Sequence, residues 1–345
     1  MSMKAIIISA FGPPENLILK DIPKPTPTPN TALIRIHAFG INHAEMHMRR
    51  GEWAESVPIS GIECVGTIEA CPSGEFAPGT PVAALMGGLG RTIPGSYAEY
   101  TVASVNNIVS LGSPGEKLPL SWAEIAALPE SYATAWTCLF RNLDLKAGQR
   151  LLIRGATSSF GRAAVNLAVE AGAIVTGTTR SDSKREELKK LGVRNVVLEG
   201  ANLGDRLEGE GVGGKFDAVL ELVGNSTVVE SLKLVRRDGR LCLAGWLGGL
   251  DPIEGSGPKP GFNPLLQMAS GVHFSFFGSF VFGTEAFPVS DVPLREIVDK
   301  AAEGRFDVRP WKVFGFGEEE IRDVHRVMER GEAGGKMVVS VSDGA

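Results

Sequence analysis

The sequence has few cysteines and no long apolar run. It holds four cysteines in 345 residues, and no two of them are spaced as Cys-x-x-Cys. This scarcity excludes a disulfide-rich scaffold and favours a reduced, cytoplasmic protein. No apolar stretch approaches the about 20 residues that a membrane-spanning helix needs, and the aromatic-rich residues 274–282 indicate a buried strand or the wall of a substrate pocket. We therefore expect no membrane contact.

The sequence also lacks an excess of positive charge. Its net charge is −5 and its isoelectric point is near 5.7, with no long basic block. Proteins that bind nucleic acid need clustered lysine and arginine, so we expect no nucleic-acid partner. A hydrophobic content of 43% with 22% charged residues is typical of a globular protein, and the length suits one large or two ordinary domains.

The first 125 residues are rich in short β-type runs. Candidate strands lie at residues 5–9, 17–21, 32–38, 65–70, 79–84 and 96–102, separated by turns that contain proline and glycine. Near the other end of the chain, residues 294–302 and 318–329 have the periodicity of amphipathic helices, and residues 336–341 alternate as a strand. Both ends therefore differ in texture from the middle.

In the middle of the chain, strands alternate with helices. Candidate strands are residues 151–153, 174–179, 195–198, 216–222 and 240–244, and helices are expected at 183–191 and 226–235. This alternation predicts a parallel, doubly wound sheet with crossover helices. A glycine- and proline-rich loop is expected at 248–261, and residues 267–283 should add a helical turn and a last strand.

The first of these strands leads into Gly-Ala-Thr-Ser-Ser-Phe-Gly at residues 155–161. A strand, a tight turn and a helix start bind a dinucleotide pyrophosphate through free backbone N–H groups and the helix dipole. The glycine fingerprint is incomplete, so an ordinary turn of an α/β protein is the alternative. The residues we expect to contact the pyrophosphate are Thr157, Ser158, Ser159, Phe160 and Gly161.

The end of the strand at 174–179 bears on the choice of cofactor. NAD-binding folds place a carboxylate there for the ribose 2′-hydroxyl, and this sequence has none. Asp182 comes later and suits a helix N-cap. Arg180, Ser181 and Lys184, following Thr179, instead offer donors to a 2′-phosphate, which favours NADPH over NADH. A solvated basic helix start is the alternative.

Two further strand ends are candidates for the nicotinamide side of a cofactor. Val223 and Gly224 follow the strand at 216–222, and Ala244 and Gly245 end the next strand. Binding sites of doubly wound sheets lie at the carboxyl ends of strands. Ordinary packing at strand ends explains these residues equally well.

With these pieces in place, the chain resembles the medium-chain dehydrogenase/reductase superfamily over nearly its whole length. The matching pieces lie at residues 40–42, 61–66, 95–100, 128–135, 155–161, 223–224 and 334–336. The sequence looks most like the zinc-free quinone oxidoreductase (zeta-crystallin-like) branch. The resemblance implies an α/β protein with a GroES-like catalytic domain at 1–125 and 268–345, a Rossmann NADP-binding domain at 126–267, and a homodimer.

The resemblance also concerns zinc. Zinc-dependent relatives hold the metal with a cysteine near the position of Asn42 and a histidine at the position of Ile62. Isoleucine cannot ligate a metal, so we expect a zinc-free protein. A metal site at His43, Glu45 and His47 is a weaker alternative, since no third fixed ligand is apparent.

Further site residues follow from the resemblance. It implies cofactor contacts for Asn42, Phe277, Ser279, Phe282 and Lys336, although a surface lysine explains Lys336 nearly as well. The proton-donating tyrosine of related enoyl reductases is replaced here by Trp53, whose indole N–H is not an acid.

The same comparison leaves Asn42 and His47 as candidates for acceptor orientation and protonation, with Tyr132 behind them. For His47, a structural role on a loop is equally consistent. Glu63 suits a structural role that binds backbone groups. Loops around Trp53, Leu89 and Phe280 should shape the acceptor pocket.

The sequence therefore predicts an NADPH-dependent, zinc-free reductase of a quinone or an α,β-unsaturated carbonyl compound. Such acceptors are electron-poor and need no metal to polarise them. An alcohol or aldehyde reductase and a non-catalytic NADPH-binding protein are the alternatives.

Overall fold

The computed structural model describes residues 1–53, 55–249, 251–253 and 262–341. The chain divides into two compact units, Met1–Ala133 with Ser279–Ala345, and Thr134–Gly278. We expected the divisions after residues 125 and 267. Tyr132 belongs with the first unit, since its ring packs against Phe306 at a centroid distance of 5.8 Å. Most of the loop expected at 248–261 lies outside the described residues.

The first unit begins with a run of short strands. Its elements up to the division are β1 (Ser2–Ile8), β2 (Leu17–Pro23), β3 (Thr31–Gly40), α1 (His43–Arg50), β4 (Glu63–Ala70), β5 (Pro81–Leu85), β6 (Tyr100–Ser104), β7 (Ile108–Ser110), α2 (Trp122–Ile125) and α3 (Pro129–Trp136). The predicted strands are all present. Helix α1 and strand β7 are too short to show a clear period in the sequence.

The second unit alternates strands and helices. After a π-helix at Thr137–Asn142 come β8 (Arg150–Arg154), α4 (Ser159–Glu170), β9 (Ile174–Thr179), α5 (Arg185–Lys190), β10 (Asn195–Leu198), α6 (Leu203–Gly209), β11 (Phe216–Glu221), α7 (Asn225–Leu234), β12 (Val235–Leu243), α8 (Pro264–Gln267) and β13 (His273–Phe276).

The chain then returns to the first unit through α9 (Leu294–Ala302), β14 (Lys312–Gly315), α10 (Glu318–Glu329) and β15 (Met337–Ser340). A seven-stranded sheet has the order β14-β15-β3-β4-β5-β7, with β6 also paired to β3, and β1 and β2 form a separate hairpin. The pairs are antiparallel except β14 with β15. Helix α10 buries Ile321, Val324 and Met328 in the core of this unit.

The sheet of the second unit is parallel throughout, in the order β10-β9-β8-β11-β12-β13. Counted from β8, this is the doubly wound order 3-2-1-4-5-6. The strand order therefore reverses between β8 and β11, and in such folds ligands bind outside the carboxyl ends of the strands at that point. The predicted doubly wound α/β fold is confirmed.

Strand β13 corrects one expectation. Phe274 and Phe276 lie on it and are 39% and 52% exposed, so the aromatic-rich segment does not form a buried strand. The reason is its position: among the described strands, β13 lies at the edge of the sheet and pairs with β12 alone.

Within the described residues, no helix is both long enough and apolar enough to cross a bilayer.

Candidate functional site

The turn after β8 keeps two glycines for identifiable reasons. Gly155 has φ +80°, which favours a residue without a side chain. A Cβ on Gly161 would lie 2.3 Å from the carbonyl oxygen of Gly155, too close for any other residue. These are the tight turn and the close helix approach that a dinucleotide site requires.

Ser158 and Ser159, which lie between these glycines, have different roles. Ser158 caps α4, because its Oγ accepts from the Gly161 N–H at 3.0 Å and donates to the Gly155 carbonyl at 2.9 Å. Its hydroxyl proton is therefore used inside the turn, and the predicted contact of Ser158 with a pyrophosphate stays a prediction. The backbone N–H groups of Ser159 and Phe160 and the hydroxyls of Thr157 and Ser159 have no partner among the described residues. They are the donors available to an anion.

Behind this turn lies a buried chain of polar contacts. The Gly155 N–H donates to Thr178 Oγ1 at 3.0 Å, and the Thr178 hydroxyl donates to Glu199 at 2.7 Å. Glu199 in turn pairs with Arg154, whose side chain is fully buried at the end of β8. The turn at residues 155–161 is therefore linked to the ends of β9 and β10 through Thr178 and Glu199.

Glu221, the last residue of β11, organises the neighbouring loop. Its carboxylate accepts from the N–H groups of Val223 at 2.8 Å and Gly224 at 3.0 Å. It lies 3.8 Å from the Arg154 guanidinium. Full burial raises the pKa of Glu221, and Arg154 opposes that shift only in part.

The two loops expected on the nicotinamide side do lie together. Gly224 has φ +114°, and a Cβ there would come within 2.9 Å of the Gly245 carbonyl oxygen. The Ala244 N–H donates to the Glu221 carbonyl at 3.0 Å. Val223, Gly224, Ala244 and Gly245 therefore form adjoining backbone at the carboxyl ends of β11 and β12.

The end of β9 presents one cation without a counter-charge. Thr179 is 2% exposed, and its Oγ1 accepts from the Ser181 N–H at 3.2 Å, which fixes the turn. Arg180 is exposed and makes no hydrogen bond or ion pair with any described residue. It is the group in this turn best placed to meet an added phosphate.

The remaining charges of this turn are paired. Lys184 contacts Glu187 at 2.8 Å, so it offers less charge to a phosphate than Arg180 does. Asp182 is not the helix N-cap expected as its alternative role: Ser181 precedes the helical turn, and the Asp182 carboxylate pairs with Arg185 at 2.7 Å.

In the first unit, Asn42 belongs to a buried polar cluster. Its Nδ2 donates to Glu63 Oε1 at 2.8 Å, and Lys336 Nζ donates to Asn42 Oδ1 at 2.7 Å and to Glu63 Oε1 at 2.6 Å. Lys336 is 7% exposed, so the interpretation as a surface lysine is wrong. The other oxygen of Glu63 accepts from the Glu130 N–H at 2.8 Å, a backbone contact of the kind expected for it.

Glu45 completes this cluster from helix α1. Its carboxyl group accepts from the backbone N–H of Asn42 and, at 3.2 Å, from that of Ile62. Complete burial raises the pKa of Glu45 to about 8, against the opposing effect of Lys336 and these donors. The carboxyl group is turned to the protein interior, whereas His43 is exposed. Across the described residues, no three His, Cys, Asp or Glu side chains are grouped to hold a metal ion.

A second group in the first unit joins three loops. The rings of His47 and Trp53 are stacked at 6.0 Å, and Nδ1 of His47 contacts Glu52. The guanidinium carbon of Arg91 lies 6.0 Å from the Trp53 ring centre and 5.5 Å from that of Phe280. The loops expected to shape the acceptor pocket thus meet at Arg91, which sequence reasoning missed. Its only signal was its place two residues after Leu89.

Four further predicted residues have these positions in the fold. Tyr132 is 3% exposed in the core of the first unit, and its role behind Asn42 and His47 stays a prediction. Phe282 is also 3% exposed, and Ser279 is half-buried in a short helical turn. Phe277, 3% exposed, belongs to the second unit, where its N–H donates to the Leu243 carbonyl at 2.9 Å.

Comparisons with known proteins agree with this arrangement. A family model described as alcohol dehydrogenase GroES-like domain matches residues 28–113, and one described as zinc-binding dehydrogenase matches residues 160–294. Quinone oxidoreductase of Mus musculus is 32% identical over 268 residues, which cover 73% of this chain and 75% of the relative.

Two solved structures extend the fold likeness to nearly the whole chain. The quinone oxidoreductase of Coxiella burnetii matches with a TM-score of 0.79 at 23% identity, covering 99% of this chain and 100% of the other. A mycobacterial protein solved in complex with NADPH matches with a TM-score of 0.81 at 23% identity and the same coverage.

Proposed function

Because the chain belongs to the medium-chain dehydrogenase/reductase superfamily, in its quinone oxidoreductase (zeta-crystallin-like) branch, we propose that it reduces a quinone or an α,β-unsaturated carbonyl compound with NADPH. Membership of this family makes the protein an oxidoreductase with a nicotinamide cofactor. The NADPH preference and the acceptor class are the parts that we add. Arg180 is the observation that carries the cofactor preference.

The residues present fit a dinucleotide phosphate. The unpartnered N–H groups of Ser159 and Phe160 point to an anion site at the start of α4, and Gly161 lets the backbone approach closely. The exposed Arg180 supplies a guanidinium for a 2′-phosphate, where charge-assisted hydrogen bonds are strong. A related structure that contains NADPH supports the same cofactor.

Bound NADPH supplies the hydride, and the protein orients the acceptor and manages charge. Asn42 cannot swing freely, because Lys336 holds its carbonyl oxygen and Glu63 holds its amide nitrogen. We therefore assign Asn42, which residues of the first unit hold in place, to the orientation of the acceptor. Glu52 occupies Nδ1 of His47, which leaves Nε2 to hand a proton to the oxygen of the reduced acceptor.

No zinc is part of this proposal. Ile62 has no ligating atom at the position where zinc-dependent relatives have a histidine, and Glu45 is engaged with backbone donors. Hydride addition to an electron-poor quinone or enone needs stabilisation of the developing oxyanion, which hydrogen-bond donors provide.

The test is cofactor oxidation by the metal-stripped protein with NADPH and one acceptor of each class: a benzoquinone, an enone and an aldehyde. We expect turnover with the quinone or the enone at full rate without added zinc. Activity that appears only after zinc is restored, or only with the aldehyde, contradicts the proposal. Binding of NADPH without turnover of any acceptor indicates a non-catalytic NADPH-binding protein.

A cytoplasmic location and a homodimer complete the proposal. All four cysteines are free thiols in the structure, which suits a reducing compartment. The exposed edge strand β13 suits pairing of two sheets, as is usual in the family. Sedimentation velocity at micromolar concentration tests the dimer directly.

A further inference from the structure

The surroundings of Arg91 set it apart from the other arginines of the first unit. Its guanidinium lies near two aromatic faces, those of Trp53 and Phe280, at 6.0 Å and 5.5 Å. Phe280 is 52% exposed, so one side of this pair faces solvent. A guanidinium flanked by rings is partly desolvated and strengthens its bonds to a carboxylate.

The charge of Arg91 is only loosely compensated. Its Nη2 contacts Glu55 at 2.8 Å, and the Glu55 side chain is 55% exposed. Such exposed pairs contribute at most about 1 kcal/mol, so another carboxylate can replace Glu55 at little cost. The Nε of Arg91 is enclosed and has no hydrogen-bond partner among the described residues. Its Nη2 is therefore the donor that a ligand carboxylate can take over from Glu55.

Neighbouring charges in these loops are also paired. His47 contacts Glu52, and Arg50 contacts both Glu52 and, at 3.0 Å, Glu329. The counter-charge of Arg91 is the most exposed of these carboxylates, since Glu55 is 55% exposed against 39% for Glu52 and 25% for Glu329. Arg91 and His47, to which the proposed function gives the proton transfer, both lie at 6.0 Å from the Trp53 ring.

From this arrangement we propose that Arg91 selects the acceptor: the protein prefers a flat conjugated carbonyl compound that bears a carboxylate, which binds the guanidinium in place of Glu55 while the flat part packs on Trp53 and Phe280. This inference rests on the proposed function, because it names the acceptor of that reaction. Arg91 acts here on specificity, since the charge it binds lies outside the bonds that change.

The experiment compares two acceptors that differ only in this charge, a benzoquinone with a propanoate side chain and its methyl ester. The methylene groups insulate the ring, so both have nearly the same intrinsic reactivity. We expect kcat/KM with NADPH to be at least about tenfold higher for the acid than for the ester. A ratio near one or below contradicts the inference.

Four variants locate the effect. Arg91→Gln should bring the acid-to-ester ratio close to one without changing the KM for NADPH, and Arg91→Lys should keep part of the preference. Glu55→Gln should raise the ratio, because the internal competitor is gone. Arg309→Gln is the matched control, an exposed arginine that pairs with Asp307 at 3.3 Å, and should leave the ratio unchanged. An equal loss for both acceptors in Arg91→Gln contradicts a role in selecting charge.

Calorimetric binding of the acid and the ester keeps the two proposals separable. If neither compound, plain benzoquinone nor an enone is turned over, the proposed function fails. Tighter binding of the acid, lost in Arg91→Gln, would still support the recognition site in that case, whereas equal binding of acid and ester would contradict it.

Discussion

Each unit of the protein buries a cluster of charges, and the two clusters are built on different cations. The lysine cluster of the first unit comprises Asn42, Glu45, Glu63 and Lys336. The arginine cluster of the second unit comprises Arg154, Glu199, Glu221 and Glu230. Each cluster lies at the start of loops that carry candidate site residues.

The difference follows from the shapes of the two cations. Lysine is a point charge, and Lys336 donates to one oxygen of Glu63 and to that of Asn42, so it joins these two side chains and fixes the orientation of Asn42. Arginine has five donors in a rigid fork. Arg154 contacts three carboxylates that follow β10, end β11 and lie on α7, so its cluster ties several loops together. We conclude that the first cluster orients one residue and the second organises a binding edge.

Removing Arg154 should have the largest effect. Arg154→Met leaves three carboxylates without their cation, and breaking a buried pair in this way costs about 3–5 kcal/mol. We expect that loss in the free energy of unfolding, measured in urea, and weaker NADPH binding. The matched control is Arg236→Met in the same unit, whose pair with Asp217 is partly exposed, and it should cost under about 1 kcal/mol. Equal losses in the two variants would refute the organising role.

Removing Lys336 should cost less. In Lys336→Met, Glu63 keeps hydrogen bonds from Asn42 and from the Glu130 N–H, so we expect a loss of about 2–3 kcal/mol. Asn42 loses the contact that holds its carbonyl oxygen, so kcat should fall. Urea unfolding and steady-state kinetics measure the two effects. A variant with wild-type stability would show that the lysine cluster is not the buried pair described.

A third effect on stability is a slope with pH rather than a loss at one pH. Glu45 has a folded-state pKa of about 8 against an ordinary value of 4.5, so between these values the folded state keeps a proton that the unfolded state has lost. Its contribution therefore makes the protein less stable as pH rises, by about 1.4 kcal/mol per pH unit. Glu45→Gln removes this contribution, so its stability relative to wild type should improve steadily from pH 5 to 8. A difference between the two proteins that stays constant over this range would contradict the raised pKa.

The sequence predicted the elements that have a clear period. Strands β9 and β10 and helices α9 and α10 have the bounds expected from alternation and amphipathic spacing. Helix α1 and strands β7 and β14 were missed, because elements of a few residues carry too little pattern. The turn at residues 155–161 was predicted from its two glycines. The capping role of Ser158 could be recognised only from the hydrogen bonds in the structure.

The charge clusters could not be predicted, because their partners are distant in the chain. Glu199 and Glu230 lie 45 and 76 residues from Arg154, and Lys336 lies 294 residues from Asn42. No local spacing connects such residues. Only the sheet order, which brings the ends of β8, β10 and β11 to one edge, places these side chains together.

The proposal of an NADPH-dependent reductase is tested most directly by the ratio of kcat/KM for NADPH to that for NADH, measured with a benzoquinone in the wild type and in Arg180→Ala. Because Arg180 is exposed and unpaired among the described residues, the change should leave folding intact. We predict a wild-type ratio of about ten or more that falls at least about tenfold in the variant, with NADH kinetics unchanged. A wild-type ratio near one would contradict the account, and so would a variant in which the reactions with NADPH and NADH slow equally.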